Sequence, residues 1–478
     1  MDAEDSRSLN NSTTITKPGK CISYFKNNML MWLNIFGIIL GLVVGFSIRP
    51  LHPSKDALLW IGLPGELFLR MLRMLILPLI VCSVISGSAT LDPKVNGKIS
   101  LVAIVYILVT HVIACSIGVV LSIIIKPGVG DTIKDGFYKN ENMLQTQDIF
   151  VDLLRNLFPN NMVEATFQQA QTKYSKMSET VVRNTSEGLV TEIMETVTKS
   201  NGHTGGINVL GLITISAIFG IAVSRVREKA TIFLQFFTGA TEVILVILRR
   251  FFWAGPIGIA SLIAASIAPV ENMAEVFSQL GWFVLCCVVG IILHQFLVLP
   301  VIYVVIVRRN PYKYMFSHIK AILLGFASTS TAVAIPDMFV SCDNNKIDKR
   351  VSRFVIPFCV TLNADGSLIY ITCATVFIIQ LTTGTVTPAQ AGIIIFLTSI
   401  TGTAIPSVPS ASIISLIIIL TSLNIPIHHV ALLFAVEWFL DRIRTQCNVA
   451  SHTICAAIAY RICRHNLKTM DINLDIIN

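Results

Sequence analysis

Apolar runs long enough to cross a lipid bilayer follow one another along this chain, with short polar breaks between them. A helix that spans the hydrocarbon needs about 20 mostly apolar residues. Residues 30–48, 59–86, 100–125, 207–224, 231–268 and 280–307 each meet or approach that length. The 231–268 stretch is too long for one crossing and is broken at Gly255-Pro256. In lipid, backbone polar groups must be paired within the segment, so continuous apolar runs of this length fold as helices. A soluble chain of 478 residues would suggest roughly three domains at about 150 residues each. The apolar runs argue instead for one all-α membrane protein.

Composition agrees. Apolar residues make up 53% and charged residues 13%, against about 25% charged in soluble domains. The mean hydropathy is +0.71. A soluble enzyme, a disordered tail protein and a secreted disulfide scaffold are excluded. The net charge of +8 does not indicate a nucleic-acid partner, because the basic residues sit at the ends of apolar runs, as in membrane proteins. Examples are Lys17, Lys20 and Lys26, then Arg308, Arg309 and Lys313, then Arg461, Arg464 and Lys468. Residues 1–28 are polar and read as a cytoplasmic amino-terminal segment rather than a cleavable signal. Residues 466–478 read as a cytoplasmic tail. Most of the 11 cysteines lie inside apolar runs, without metal-type spacing. No nucleophile–base set marks an enzyme, and no organic cofactor is expected.

Two regions break the pattern. Residues 127–205 carry Asp131, Asp135, Glu141, Asp148, Asp152, Glu164, Glu192 and Glu195, and read as a long extracellular loop. Asn184-Thr185-Ser186 within it is a glycosylation sequon. From residue 315 onward, small polar residues interrupt the apolar segments midway. Residues 315–342 are broken at Ser328–Thr331, residues 352–380 at Asn363-Ala364-Asp365-Gly366, and residues 390–420 across Thr401-Gly402-Thr403 and at Pro406 and Pro409. Opened backbone at membrane depth must line a cavity or be buried in protein. Successive interrupted segments mark a transporter core, where half-helix ends point at a substrate. This predicts scaffold-rich helices over 29–314 and a transport core over 315–465. The core would hold re-entrant hairpins at 315–342 and 390–420 and spanning helices at 352–380 and 426–463.

The last segment carries a polar stripe. Glu437, Asp441, Thr445, Asn448 and His452 recur at steps of four, four, three and four, and Arg444 lies seven beyond Glu437. These spacings share one helical face. Each charge at the bilayer centre costs at least about 2.5–3.5 kcal/mol, so the group must face itself, water or a ligand. Asp441 and Arg444 could form a structural ion pair. As a ligand stripe, Arg444 would fork onto a carboxylate, Asp441 would take an ammonium and Asn448 would bond a second carboxylate. Asp365 in the broken helix, with carbonyls freed beside Gly366, suits a hard cation such as sodium. It could also serve structure alone as a protonated acid. The hydroxyls of Ser328 to Thr331 offer donors at a hairpin tip, or simply bond back to their own helix.

At these residues the chain resembles the sodium:dicarboxylate symporters, the glutamate and neutral amino acid transporter family, from about residue 30 to 468. Pro64-Gly65-Glu66 and the Arg70–Pro78 run resemble its second helix, and Asp348-Lys349-Arg350-Val351 leads into its seventh. Asn363-Ala364-Asp365-Gly366 stands where the family has Asn-Met-Asp-Gly. Trp438-Phe439-Leu440-Asp441-Arg442, then Arg444-Thr445 and Asn448-Val449, resemble its eighth helix. The resemblance implies eight transmembrane helices with two re-entrant helical hairpins, a homotrimer in the plasma membrane with both termini cytoplasmic, and a transport domain moving against a fixed scaffold. It implies that Asp441 binds the substrate ammonium, Arg444 its side-chain carboxylate and Asn448 its α-carboxylate. Ser328, Ser330 and Thr331 at the first tip, with Ser367 and Thr445, complete the substrate site. Asn363, Asp365, Thr361, Thr110 and Asn448 fall at sodium positions, and a chloride conductance accompanies transport in the family.

Several positions depart from the family. Ala364 replaces a methionine, His452 replaces an aspartate that ligates sodium, and Ile107 and His111 replace a tyrosine and a hydroxyl residue. Ile371 replaces a glutamate implicated in proton coupling, and Pro406 is an extra proline at the second tip. The expectation is secondary active transport of glutamate or aspartate, with substrate contacts kept and sodium coupling altered. The alternatives are a neutral amino acid transporter or exchanger, with Arg444 turned onto Asp441 or Glu437, and a substrate-gated anion channel with weak transport.

Overall fold

A computed structural model describes residues 29–89, 93–130, 146–185, 188–269, 273–423, 425–427 and 429–477. The amino-terminal segment, with sequons beginning at Asn10 and Asn11, lies outside the described residues. The apolar runs all form helices, and so does a short amphipathic segment at 146–157. They are α1 (Met29–Ile48), α2 (Lys55–Met74), α3 (Ile76–Ala89), α4 (Pro93–Ile125), α5 (Thr146–Leu157), α6 (Val209–Val226), α7 (Thr231–Phe251), α8 (Gly255–Ile267), α9 (Met273–Leu293) and α10 (Leu299–Val307). The carboxy-terminal part adds α11 (Pro311–Ser317), α12 (Ile319–Ser328), α13 (Ile335–Asn344), α14 (Lys349–Leu362), α15 (Asp365–Thr383), α16 (Pro388–Thr401), α17 (Ala411–Ser422) and α18 (Val430–Ile477).

The breaks fall where the chain loses helix-compatible residues. A 3₁₀ turn at Phe252–Ala254 separates α7 from α8, and Pro256 sits in the first turn of α8, where its missing N–H costs nothing. Residues Asn363 and Ala364 separate α14 from α15. The 3₁₀ turn Ala332–Ala334 lies between α12 and α13, and Gly402–Ala404 opens the break between α16 and α17.

The segment 127–205, expected as a loop, has most of its described residues in regular structure. It contains α5 and a two-stranded antiparallel hairpin, β1 (Gln168–Thr185) and β2 (Gly188–Gly205), in register from Gln168 opposite Gly205 to Thr185 opposite Gly188. Its acidic residues hid a strand pattern in which Thr, Val and Tyr favour the pleated surface. Asp152 of α5 accepts from the Thr172 backbone N–H at 2.6 Å and its hydroxyl at 2.7 Å. Asn156 and Ala170 exchange two further bonds at 2.8 and 2.9 Å. The sequon residue Asn184 pairs with Leu189, next to the pair that closes the hairpin.

Helices differ in how far protein encloses them. Within the apolar window of 231–267, 11% is buried in protein, whereas in that of 349–383 the share is 89%. The first therefore meets lipid or another chain, and the second is an inner helix. Packing is close where glycine permits it. On α1, a Cβ at Gly37 would lie 2.4 Å from the Pro256 carbonyl oxygen and one at Gly41 2.6 Å from that of Ala260. This is the small-residue contact that lets membrane helices approach. The α15–α18 crossing is tight in the same way: a Cβ at Gly366 would meet the Arg444 carbonyl oxygen at 2.5 Å and its Cα at 2.9 Å. Both sides are backbone, so nothing can rotate away. Gly366→Ala is expected to lose about 1–3 kcal/mol by overpacking, read as a fall in the thermal unfolding midpoint of the detergent-purified protein.

Candidate functional site

The start of α15 faces α18 across the Asn363–Ala364 break. Ala364 leaves the helical region (φ −145°, ψ 44°), so the first amides of α15 have no partners in the preceding turn. Asn448 takes one of them: its Oδ1 accepts from the Gly366 N–H at 2.8 Å. Its Nδ2 lies 3.4 Å from the Ser367 hydroxyl.

Two chain breaks close over this point. At the first, Thr329 adopts the left-handed conformation (φ 52°). The Ser328 hydroxyl bonds back to Leu324 O at 2.7 Å. The next hydroxyls reach the second break: Ser330 donates to Ser407 O at 3.0 Å, and Thr331 to the Ser407 hydroxyl at 2.9 Å. Ser407 donates in turn to Val360 O at 2.5 Å. Ser407 thus ties both tips to the end of α14. At its far side the second tip donates the Ser410 N–H to Asp441 Oδ2 at 3.1 Å. Pro406 and Pro409 fix φ around Ser407.

Between the tips and α18 lies a small, partly enclosed cavity. Thr331, Asn363, Ala364, Ser367, Asp441, Thr445 and Asn448 line it, with Thr329, Ser407 and Ser412. Seven sequence-predicted positions therefore converge on one space. Ser328 and Ser330 instead secure the tip.

Arg444 is turned elsewhere. Its Nη1 donates to Glu437 Oε2 at 3.0 Å, its Nη2 donates to Glu437 Oε1 as well as to Asp441 Oδ1 at 2.7 Å, and its guanidinium stacks 4.5 Å from the Tyr370 ring centre. All three charged side chains are buried. This is the internal pairing that the stripe spacing allowed. Asp441 is the hinge of the arrangement, with one oxygen on Arg444 and the other on the second tip.

The sodium positions divide. Asn363 and Asp365 sit together in the break, and Thr110 is buried with its hydroxyl on Ile107 O at 3.1 Å. Thr361 is exposed on α14 with its hydroxyl on Pro357 O at 3.0 Å, so it does not join them. Ile107, Ile371, His111 and His452 are all buried. Sequence reading missed Ser451, whose hydroxyl donates to Asp365 Oδ2 at 2.5 Å, and His294, whose Nε2 lies 3.4 Å from the same oxygen. An ionisable residue in mid-run was the available signal for His294. It gave no role to Arg442, which donates to Phe326 O at 3.1 Å and Ala327 O at 2.9 Å, holding the carbonyl end of α12 against α18.

Inner helices broken at one point, two chain breaks latched over it and a polar cavity between them define a multi-pass membrane transporter rather than an enzyme. The sequence matches the sodium:dicarboxylate symporter family over residues 30–462, and the chain belongs to that family. It is 36% identical over 470 residues to excitatory amino acid transporter 1 of Ambystoma tigrinum, covering 94% of this chain and 86% of that one. It is 35% identical to excitatory amino acid transporter 2 of Mus musculus (93% and 81% covered) and 34% identical to an excitatory amino acid transporter of Onchocerca volvulus (94% and 93% covered).

The Arg444 pairing gives a direct test. Removing one partner of a buried ion pair costs about 3–5 kcal/mol, because the remaining charge is stranded. Glu437→Ala should therefore lower the unfolding midpoint far more than Glu66→Ala, whose 2.6 Å bridge to Arg70 is on the surface. Differential scanning fluorimetry of the two variants measures the contrast.

Proposed function

We propose that this chain is a secondary active transporter of glutamate or aspartate. The observation that carries this reading is the meeting of Asp441, Asn448 and the hydroxyl-bearing tips on one cavity, with Arg444 bonded to Asp441 at its wall. A bound acidic amino acid would place its ammonium on Asp441 and its α-carboxylate at Asn448 and the first tip. Its side-chain carboxylate would take over part of the Arg444 fork from Glu437, exchanging one charge-assisted contact for another. The names of the relatives support the substrate class.

In the same proposal, the core over 315–465 moves against a scaffold over 29–314, with 315–342 and 390–420 as re-entrant hairpins. Opening requires release of the Ser407 bonds. A plasma-membrane homotrimer with cytoplasmic termini, Asn184 glycosylation and an accompanying chloride conductance follow from the family resemblance. The apolar outer faces of α1 and α7, with Phe36, Val43, Ile232 and Phe236 exposed, suit lipid or neighbouring protomers. Ion coupling is proposed to differ from that of the relatives.

One observation favours a second reading, neutral amino acid exchange. Both fork nitrogens of Arg444 are already held by Glu437, and a substrate without a side-chain carboxylate would leave that pairing intact. Uptake of radiolabelled aspartate into proteoliposomes decides between the two. Aspartate uptake inhibited by glutamate and not by serine supports the first, and uptake of radiolabelled serine without uptake of aspartate supports the second. Arg444→Cys should weaken competition by glutamate while sparing serine. Equal loss for both amino acids would remove Arg444 from substrate selection.

A further inference from the structure

Three buried histidines from three elements surround the broken helix. They are His111 of α4, His294 of the π turn His294–Val298 after α9, and His452 of α18. Each is fully buried, as is Asp365 among them. The family name implies sodium in this neighbourhood, and the donor chemistry here tests whether sodium fits.

A hard cation is held by a shell of oxygens, whereas imidazole suits softer transition metals. Imidazole rings crowd the oxygens at this point, and of the two Asp365 oxygens only Oδ2 has a hydrogen-bond partner among the described residues, the Ser451 hydroxyl. His111 Nδ1 donates to Ser399 O at 3.0 Å, and its Nε2 lies 3.2 Å from Asn363 Oδ1. His452 Nε2 donates to Asn363 O at 2.9 Å. Asp365 Oδ2 accepts from Ser451 with His294 Nε2 at 3.4 Å, and Oδ1 lies 3.9 Å from His111 Nε2. Space is as constrained as chemistry: a Cβ built on Gly402 would come within 3.1 Å of the His111 ring. Thr361, the remaining hydroxyl expected at a sodium site, is exposed on α14. The residues present do not fit sodium.

We propose that His111, His294 and His452 take the place of sodium in this chain. His452 Nε2 takes the Asn363 carbonyl, His111 Nε2 takes the Ala364 N–H at 3.4 Å, and the His294 ring lies 3.4 Å from Asp365, so that imidazoles fill the break and set the arrangement that a bound cation would otherwise impose. The cavity is therefore formed, and its substrate bound, without sodium. The inference rests on the transport reading for its meaning but can be tested apart from it.

The first measurement uses the purified full chain without substrate. Sodium chloride replaces choline chloride at constant ionic strength, and potassium chloride serves as a second control. A ligand that binds only the folded state raises the unfolding midpoint saturably. No sodium-specific rise is expected, and a saturable rise with sodium alone overturns the proposal. The second measurement uses His452→Asp, which frees Asn363 O and adds a carboxylate beside it. This variant should gain a sodium-specific rise. A folded His452→Asp protein that stays silent to sodium also counts against the proposal, and if the variant does not fold, the wild-type titration decides. Third, radiolabelled aspartate should bind equally in sodium and in choline, and a loss of about tenfold or more in choline overturns the idea. Absence of binding in both media strikes the acidic-substrate reading, and the sodium titration then decides the role of the histidines by itself.

Discussion

The two residues between α14 and α15 set the terms for everything around them. A helix opened inside a protein at membrane depth releases amides and carbonyls that no water shell can satisfy. Each must be bound by a side chain reaching in from elsewhere. Asn448 takes the Gly366 amide, His452 takes the Asn363 carbonyl and the Asn363 side chain donates to Ser451 at 3.0 Å. Two of these partners fall on one stripe of α18 and the third beside it. The long helix carries polar residues because the short break needs them, and the Gly366 contact fixes how near the two must lie.

Arg444 follows the same economy. Its charge is stable at this depth only if it is paired at all times. Glu437 and Asp441 provide that pairing before any ligand arrives, and Tyr370 covers the guanidinium face. On the proposed reading a substrate carboxylate competes with a resident one, so its binding energy is the difference between two similar contacts rather than the whole of one. Discrimination then depends on how well Glu437 is accommodated once displaced. A fork of fixed geometry makes this exchange stepwise, one nitrogen at a time, as a lysine ammonium would not.

Much of the architecture was legible because lipid leaves few choices. Apolar run length located the helices, and the interruptions at Ser328–Thr331, Asn363–Gly366 and Thr401–Pro409 located the breaks. The stripe from Glu437 to His452 was legible from helical periodicity alone. Which way a side chain on that stripe turns was not, because Arg444 has acceptors on both sides and spacing treats them alike. The β1–β2 hairpin escaped notice since its alternation is among polar residues, which carry little amphipathic signal. Thr361 was misplaced for a different reason: a residue two positions from a helix break is turned out of the site by the helix it still belongs to, and its hydroxyl is spent on Pro357. His294 belongs to a helix read as uniformly apolar, and its partner Asp365 lies 71 residues further along the chain. Only the folded arrangement joins them.

The closed tips and the filled break act on the same equilibrium from two ends. Ser407 holds both tips to α14 through bonds that any opening must break, and Pro406 and Pro409 limit the ways in which the second tip can leave. In a chain whose break is organised by an arriving ion, ion binding and tip closure favour one another by linkage. When the organising groups are side chains of the protein itself, that coupling has no external partner, and the free energy for closure comes from the substrate and the tip bonds alone. Such a site stays assembled when empty. A stiff second tip is then consistent with the histidines below it, since a permanently organised break does not need a flexible lid to report whether its ion has arrived.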